Sequence, residues 1–139
     1  MKQVVGKAWA ASLGLTLASA AAAAQPAYLT PEGCVEAGKR LAAAGRPLAM
    51  NTQLVATHFA PTTGRCYVLL TLLADGTDDT PPTTIRTLYR GENGEVLAIA
   101  SDQAGTRTGL VSDPAHVLPL QDHGYDDALG YIDSKMRFE

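Results

Sequence analysis

Eight consecutive residues, Cys66-Tyr67-Val68-Leu69-Leu70-Thr71-Leu72-Leu73, are apolar on both faces of an extended chain. Neighbouring side chains on a strand point to opposite faces, so a half-solvated strand alternates apolar and polar residues. This run does not alternate. It predicts a strand in the middle of a sheet. It also begins with one of the chain's two cysteines, and the other, Cys34, lies 32 positions upstream.

Whether those cysteines pair depends on the compartment, and the N-terminus speaks to that. Lys2 and Lys7 are the only charges in residues 1–24. An apolar stretch over 8–20 follows, with Trp9, Leu13, Leu15 and Leu17, and it ends in Ala20-Ala21-Ala22-Ala23-Ala24. A basic start, an apolar middle and a small-residue end form a secretory signal peptide, with cleavage expected between Ala24 and Gln25. The apolar run is shorter than the ~20 residues of a membrane span, so no stable membrane anchor is expected after cleavage. Pro31-Glu32-Gly33 before Cys34 does not fit a lipid-attachment signal.

Residues 25–139 are then a single exported domain. Loss of Lys2 and Lys7 takes the formal net charge from −3 to −5 over 115 residues. That acidic balance excludes nucleic acid as a partner and makes an anionic lipid surface a poor one. Two cysteines in an exported chain predict a Cys34–Cys66 disulfide, and no C-x-x-C redox motif is present. Closing a loop of this size is worth about 3–4 kcal/mol in the chain-entropy model.

Thr30-Pro31-Glu32 is a helix start, with a capping hydroxyl, proline at the first helical position and an acid in the first turn. Cys34, Ala37, Leu41 and Ala44 then recur at helical spacing, and Gly45 and Pro47 end the pattern. Strands are predicted over 48–59, 66–73, 83–90 and 95–101, with turns at Pro61-Thr62-Thr63-Gly64 and Gly91-Glu92-Asn93-Gly94. Residues 102–120 show no period. Tyr125, Leu129, Ile132 and Met136 give one apolar face of a closing helix. The expected fold class is α+β: an N-terminal helix, a four-stranded antiparallel meander and a C-terminal helix. Both helices are expected on one face, with one helix-to-sheet disulfide.

The residues that could carry chemistry are few. A His58–Cys66 thiol–imidazole dyad fails on register. With the first hairpin closed at Thr62-Thr63, His58 faces Tyr67 and Phe59 faces Cys66, so His58 and Cys66 point to opposite faces. His116 and His123 lie near Asp113, Asp122 and Asp126, but without the spacing of a zinc site, and no metal is expected. Asp75, Asp78 and Asp79 do not make a calcium loop. No nucleophile elbow and no phosphate-cradling glycine pattern occurs, so no cofactor and no catalytic residue is assigned. Arg86 and Arg90 share one strand face; pairing Arg90 with Glu95 sets Arg86 opposite Ile99 and Tyr89 opposite Val96. His58, Tyr67, Arg86 and Arg90 are the candidate partner-binding residues of the resulting sheet surface.

Two resemblances follow. Thr57-His58-Phe59 and Arg65-Cys66-Tyr67-Val68, with Cys34 upstream and Leu88-Tyr89 and Gly94-Glu95-Val96-Leu97 downstream, resemble small exported bacterial proteins of unassigned activity. In those a histidine–aromatic pair precedes a cysteine–aromatic strand. That likeness implies the fold and the disulfide. Residues 84–101, with Asn93-Gly94-Glu95-Val96-Leu97, are similar to the final hairpin of exported PepSY-type domains, which implies a peptidase-inhibitory or regulatory role.

The expected function is a non-enzymatic binding or accessory module of the bacterial envelope, periplasmic or secreted, whose partner is an envelope or extracellular protein. The alternative is a small envelope hydrolase using carboxylates or His58. A concave pocket gathering at least two of His58, His116, His123 and the acids would favour the hydrolase; scattered histidines on a flat or convex sheet would favour binding.

Overall fold

Thr30 caps the first helix, α1 (Pro31–Ala44), its side chain accepting a hydrogen bond from the Gly33 amide at 3.1 Å. The far end closes where the Gly45 amide donates to the Leu41 carbonyl. The computed structural model describes residues 30–45, 51–116 and 124–137. The predicted leader, Leu48 and His123 lie outside these residues.

Five strands follow: β1 (Asn51–Ala60), β2 (Arg65–Ala74), β3 (Thr83–Arg90), β4 (Val96–Gln103) and β5 (Thr106–Val111). They form one antiparallel sheet in the order β1-β2-β3-β4-β5, and α2 (Gly124–Arg137) completes the chain. The predicted four-stranded meander is thus one strand short. Residues 102–120 conceal β5 because its hairpin turn is Ala104-Gly105, with φ of 51° and 82°, in place of Asn-Gly or Asp-Gly. Gly109 inside the strand further weakens the pattern.

The first hairpin has the expected register, with His58 opposite Tyr67 and Phe59 opposite Cys66. The second departs from it after one pair. Tyr89 faces Val96 as expected, but a bulge shifts the ladder, and Arg86 faces Ala100 instead of Ile99. The extra residue is Leu97, which is buried together with its neighbour Ala98. A regular strand would have sent the two to opposite faces; the bulge lets both join the core cluster beneath α2.

The helices lie on opposite faces of the sheet, which corrects the expected single helical layer. On one face α1 packs Cys34, Ala37 and Leu41 against Cys66, Val68, Leu70, Phe59 and Tyr89. On the other α2 packs Ala128, Tyr131 and Ile132 against Tyr67, Leu88, Leu97, Ala98 and Ala100. The reason lies in β2 itself. A central strand apolar on both faces needs cover on both, and one helical layer can serve only one of them. Gly38 brings α1 close to the sheet, since a Cβ there would lie 2.5 Å from Thr57 Cγ2.

The Cys34–Cys66 disulfide is present, with a Cα–Cα distance of 5.4 Å, and it ties α1 to β2. Disulfides persist in oxidising compartments, so the bond suggests an extracellular or periplasmic setting. Among the described residues, no helix is long and apolar enough to cross a membrane.

Candidate functional site

Beyond β5 the chain turns back over the N-terminal half of α2, and the turn is organised by Asp113. Its Oδ1 accepts from the Ala115 amide at 3.0 Å, and its carbonyl accepts from the His116 amide at 3.0 Å. Aspartate favours such a turn because its short side chain reaches the backbone two residues on. Asp113 Oδ2 accepts from the Tyr131 hydroxyl of α2.

His116 makes the second tie to α2. Its Nε2 lies 3.0 Å from Asp127 Oδ2, both side chains being largely buried. The imidazole also meets the Tyr131 ring edge-on, centroids 5.0 Å apart. Asp127 and Tyr131 are four residues apart on α2, so they share a face and reach the same turn. Lys135, one turn further on, holds its Nζ 5.6 Å from the centre of the Tyr131 ring and 5.8 Å from that of Tyr67.

Between turn and helix lies an open cleft of about 490 Å³. Asp113, His116, Asp126, Asp127, Ser134 and Lys135 supply its polar groups. Three carboxylates face one ammonium, so the cleft is acidic. A second recess of about 470 Å³ lies between α1 and the β3–β4 turn, but its charged groups are only Arg40 and Glu92. Glu92 Oε1 there accepts from the Cys66 amide at 2.7 Å.

The Asp113 carboxyl is held below the usual carboxylate range, chiefly by the Tyr131 hydroxyl and next by the Ala115 amide. The folded chain therefore takes up this proton at lower pH than the unfolded chain does. The stabilisation is complete above the ordinary carboxylate range and is lost as pH falls through the lowered value. Tyr131→Phe is expected to move the Asp113 midpoint up towards ordinary carboxyl values in a carbon-13 NMR titration. A midpoint that stays put would remove the hydroxyl as the cause.

The four predicted partner-binding residues share one sheet face, on the α2 side. Tyr67 stands between His58 on β1 and Arg90 on β3, and Arg86 pairs with Thr71. They do not form one open surface, because Tyr67 is only 1% exposed beneath α2. His58, Arg86 and Arg90 are half-buried. Arg90 Nε approaches Glu95 Oε2 at 3.6 Å, the cross-strand ion pair expected from the turn. None of the four lines the acidic cleft.

The sequence drew attention to His116, Asp113 and Asp126 as neighbours along the chain. The structure joins His116 to Asp127 and Asp113 to Tyr131 instead. The i, i+4 spacing of Asp127 and Tyr131 was a usable signal, but nothing local showed which turn would face them. Among the described residues, no group of three or more His, Cys, Asp or Glu side chains could hold a metal ion. No protein-family model matches the chain, and comparisons with curated proteins and with solved structures return no match.

Proposed function

We propose that this chain is a non-enzymatic binding or accessory module of the bacterial envelope, exported by its leader, and that its ligand-contacting region is the acidic cleft on α2. The observation that carries the reading is how the cleft's reactive groups are already engaged. Asp113 accepts from Tyr131, and Ser134 Oγ donates to the Tyr131 carbonyl at 2.7 Å. A nucleophilic mechanism needs a hydroxyl within reach of its base, and this serine is turned back onto its own helix. Three carboxylates against one ammonium suit an amine or guanidinium, as on a basic segment of an envelope or extracellular protein.

One observation favours the hydrolase reading. The cleft is a concave pocket that gathers His116 with three carboxylates, the arrangement expected of the hydrolase, and Asp127 could orient His116 as a general base towards water. In that reading the working histidine is His116 and not His58.

Titrating the nitrogen-15-labelled protein with a lysine- and arginine-containing tripeptide separates the two. The binding reading expects amide shifts confined to 113–116 and 126–135, with affinity weakened about fivefold in Asp126→Asn, the scale of one exposed ion pair. Equal shifts with a glutamate tripeptide, or none with the basic one, would sink it. Turnover of ester, peptide or glycoside substrates that disappears in His116→Ala would replace it with the hydrolase.

A further inference from the structure

The two edges of the sheet are unlike. β5 is a six-residue strand, Thr106–Val111, carrying Arg107, whose Nε meets Asp102 Oδ2 at 3.0 Å. Short, charged edge strands resist pairing with other chains. β1 is ten residues long, and Asn51-Thr52-Gln53-Leu54-Val55-Ala56-Thr57-His58-Phe59-Ala60 contains no Asp, Glu, Lys, Arg, Pro or Gly. Among the described residues, no strand pairs with its outer edge. Leu54 and Val55 at its centre are 53% and 45% exposed, on opposite faces. Val55 stays that exposed even though its Cγ1 would lie 3.4 Å from a Cβ at Gly38 of α1.

We propose that two copies of this chain pair through β1, antiparallel, into one continuous ten-stranded sheet. A long, uncharged edge offers backbone donors and acceptors with nothing to repel its own copy. Pairing of β1 with β5 of a second copy would not close and would grow into a filament, whereas β1 with β1 closes on a two-fold axis. That axis stands perpendicular to the sheet, so the two α1 helices share one face and the two α2 helices the other. Residues then pair with like parity. With Val55 against its own copy, Leu54 meets Ala56 of the partner subunit, and both exposed apolar side chains gain cross-strand apolar neighbours. The chain carries a net negative charge, but none of it lies on this edge.

Sedimentation and light scattering of the full exported protein over a range of concentrations test this. The expected result is a species of twice the monomer mass. Val55→Lys places like charges opposite each other and should weaken dimerisation on the order of 100-fold. Leu54→Lys is a second route to the same result, and Leu110→Lys on β5 should leave the dimer intact. Mixing Val55→Lys with Val55→Glu should restore a dimer. Circular-dichroism melting shows that each variant is folded. A protein that stays monomeric at millimolar concentration overturns the proposal. So does a dimer that survives both lysine variants while they stay folded, or higher oligomers abolished by Leu110→Lys. An edge that takes up an extended peptide without ever dimerising also overturns it.

Discussion

Replacing Cys34 and Cys66 together by alanine is expected to cost about 3–4 kcal/mol, the chain-entropy value for a loop of this size. For a domain of this length that lowers the melting temperature by on the order of 10–20 °C. The effect should also be uneven. The α2 side of the sheet is held by large buried groups, among them Tyr67, Leu88, Leu97 and Ile132. On the α1 side the helix itself buries only Cys34, Ala37 and Gly38 fully. Small side chains remove little apolar surface from water. The disulfide therefore supplies much of what keeps α1 on the sheet. In hydrogen exchange, residues 31–44 should lose protection before the α2 side does. Thiol counting on the denatured, unreduced wild-type protein should find no free thiol, and finding two would refute the bond. A double variant that melts within a few degrees of wild type, with α1 still protected, would refute the role assigned to it.

The second large effect is expected at Gly109 on β5. A Cβ there would lie 2.2 Å from the Gly124 carbonyl oxygen, 2.5 Å from its carbon and 2.6 Å from Tyr125 Cα. All three are backbone atoms, so no side-chain rotation relieves the contact. Gly109→Ala must push the start of α2 off the sheet, and α2 carries Tyr131 and Ile132 into the core. Overpacking of this kind costs about 3 kcal/mol. It also displaces Asp127 from His116, so the cleft should open as stability falls. Gly130→Ala is the matched control. It is a mid-helix site with nothing within 4 Å of the added methyl, and should gain about 0.5–1 kcal/mol from helix propensity. Equal denaturant midpoints for Gly109→Ala and wild type would rule out the close approach of β5 and α2.

Much of the fold was legible locally. Thr30-Pro31-Glu32 marked the helix start because a cap and a fixed φ act within a few residues. The β3 limits, 83–90, matched because turns bracket that strand on both sides. The first hairpin's register followed from the four-residue turn, since residue order alone sets the pairing there. The misses have physical causes of another kind. β5 has two glycines around it and an alanine where the turn wants asparagine. The bulge at Leu97 arises from the demand of the α2-side core for an extra apolar residue, which no local pattern displays.

What the sequence determined by itself is therefore what short-range chemistry controls: the caps of α1, the strands bounded by turns, and the pairing of the only two cysteines. The tertiary structure decided which face each helix covers, where the fifth strand joins, and that His116 meets Asp127 while Asp113 meets Tyr131. Those contacts form between segments 11 and 18 residues apart. They exist because α2 must cover the second apolar face of β2, and covering it carries Asp127 and Tyr131 over the turn that follows β5.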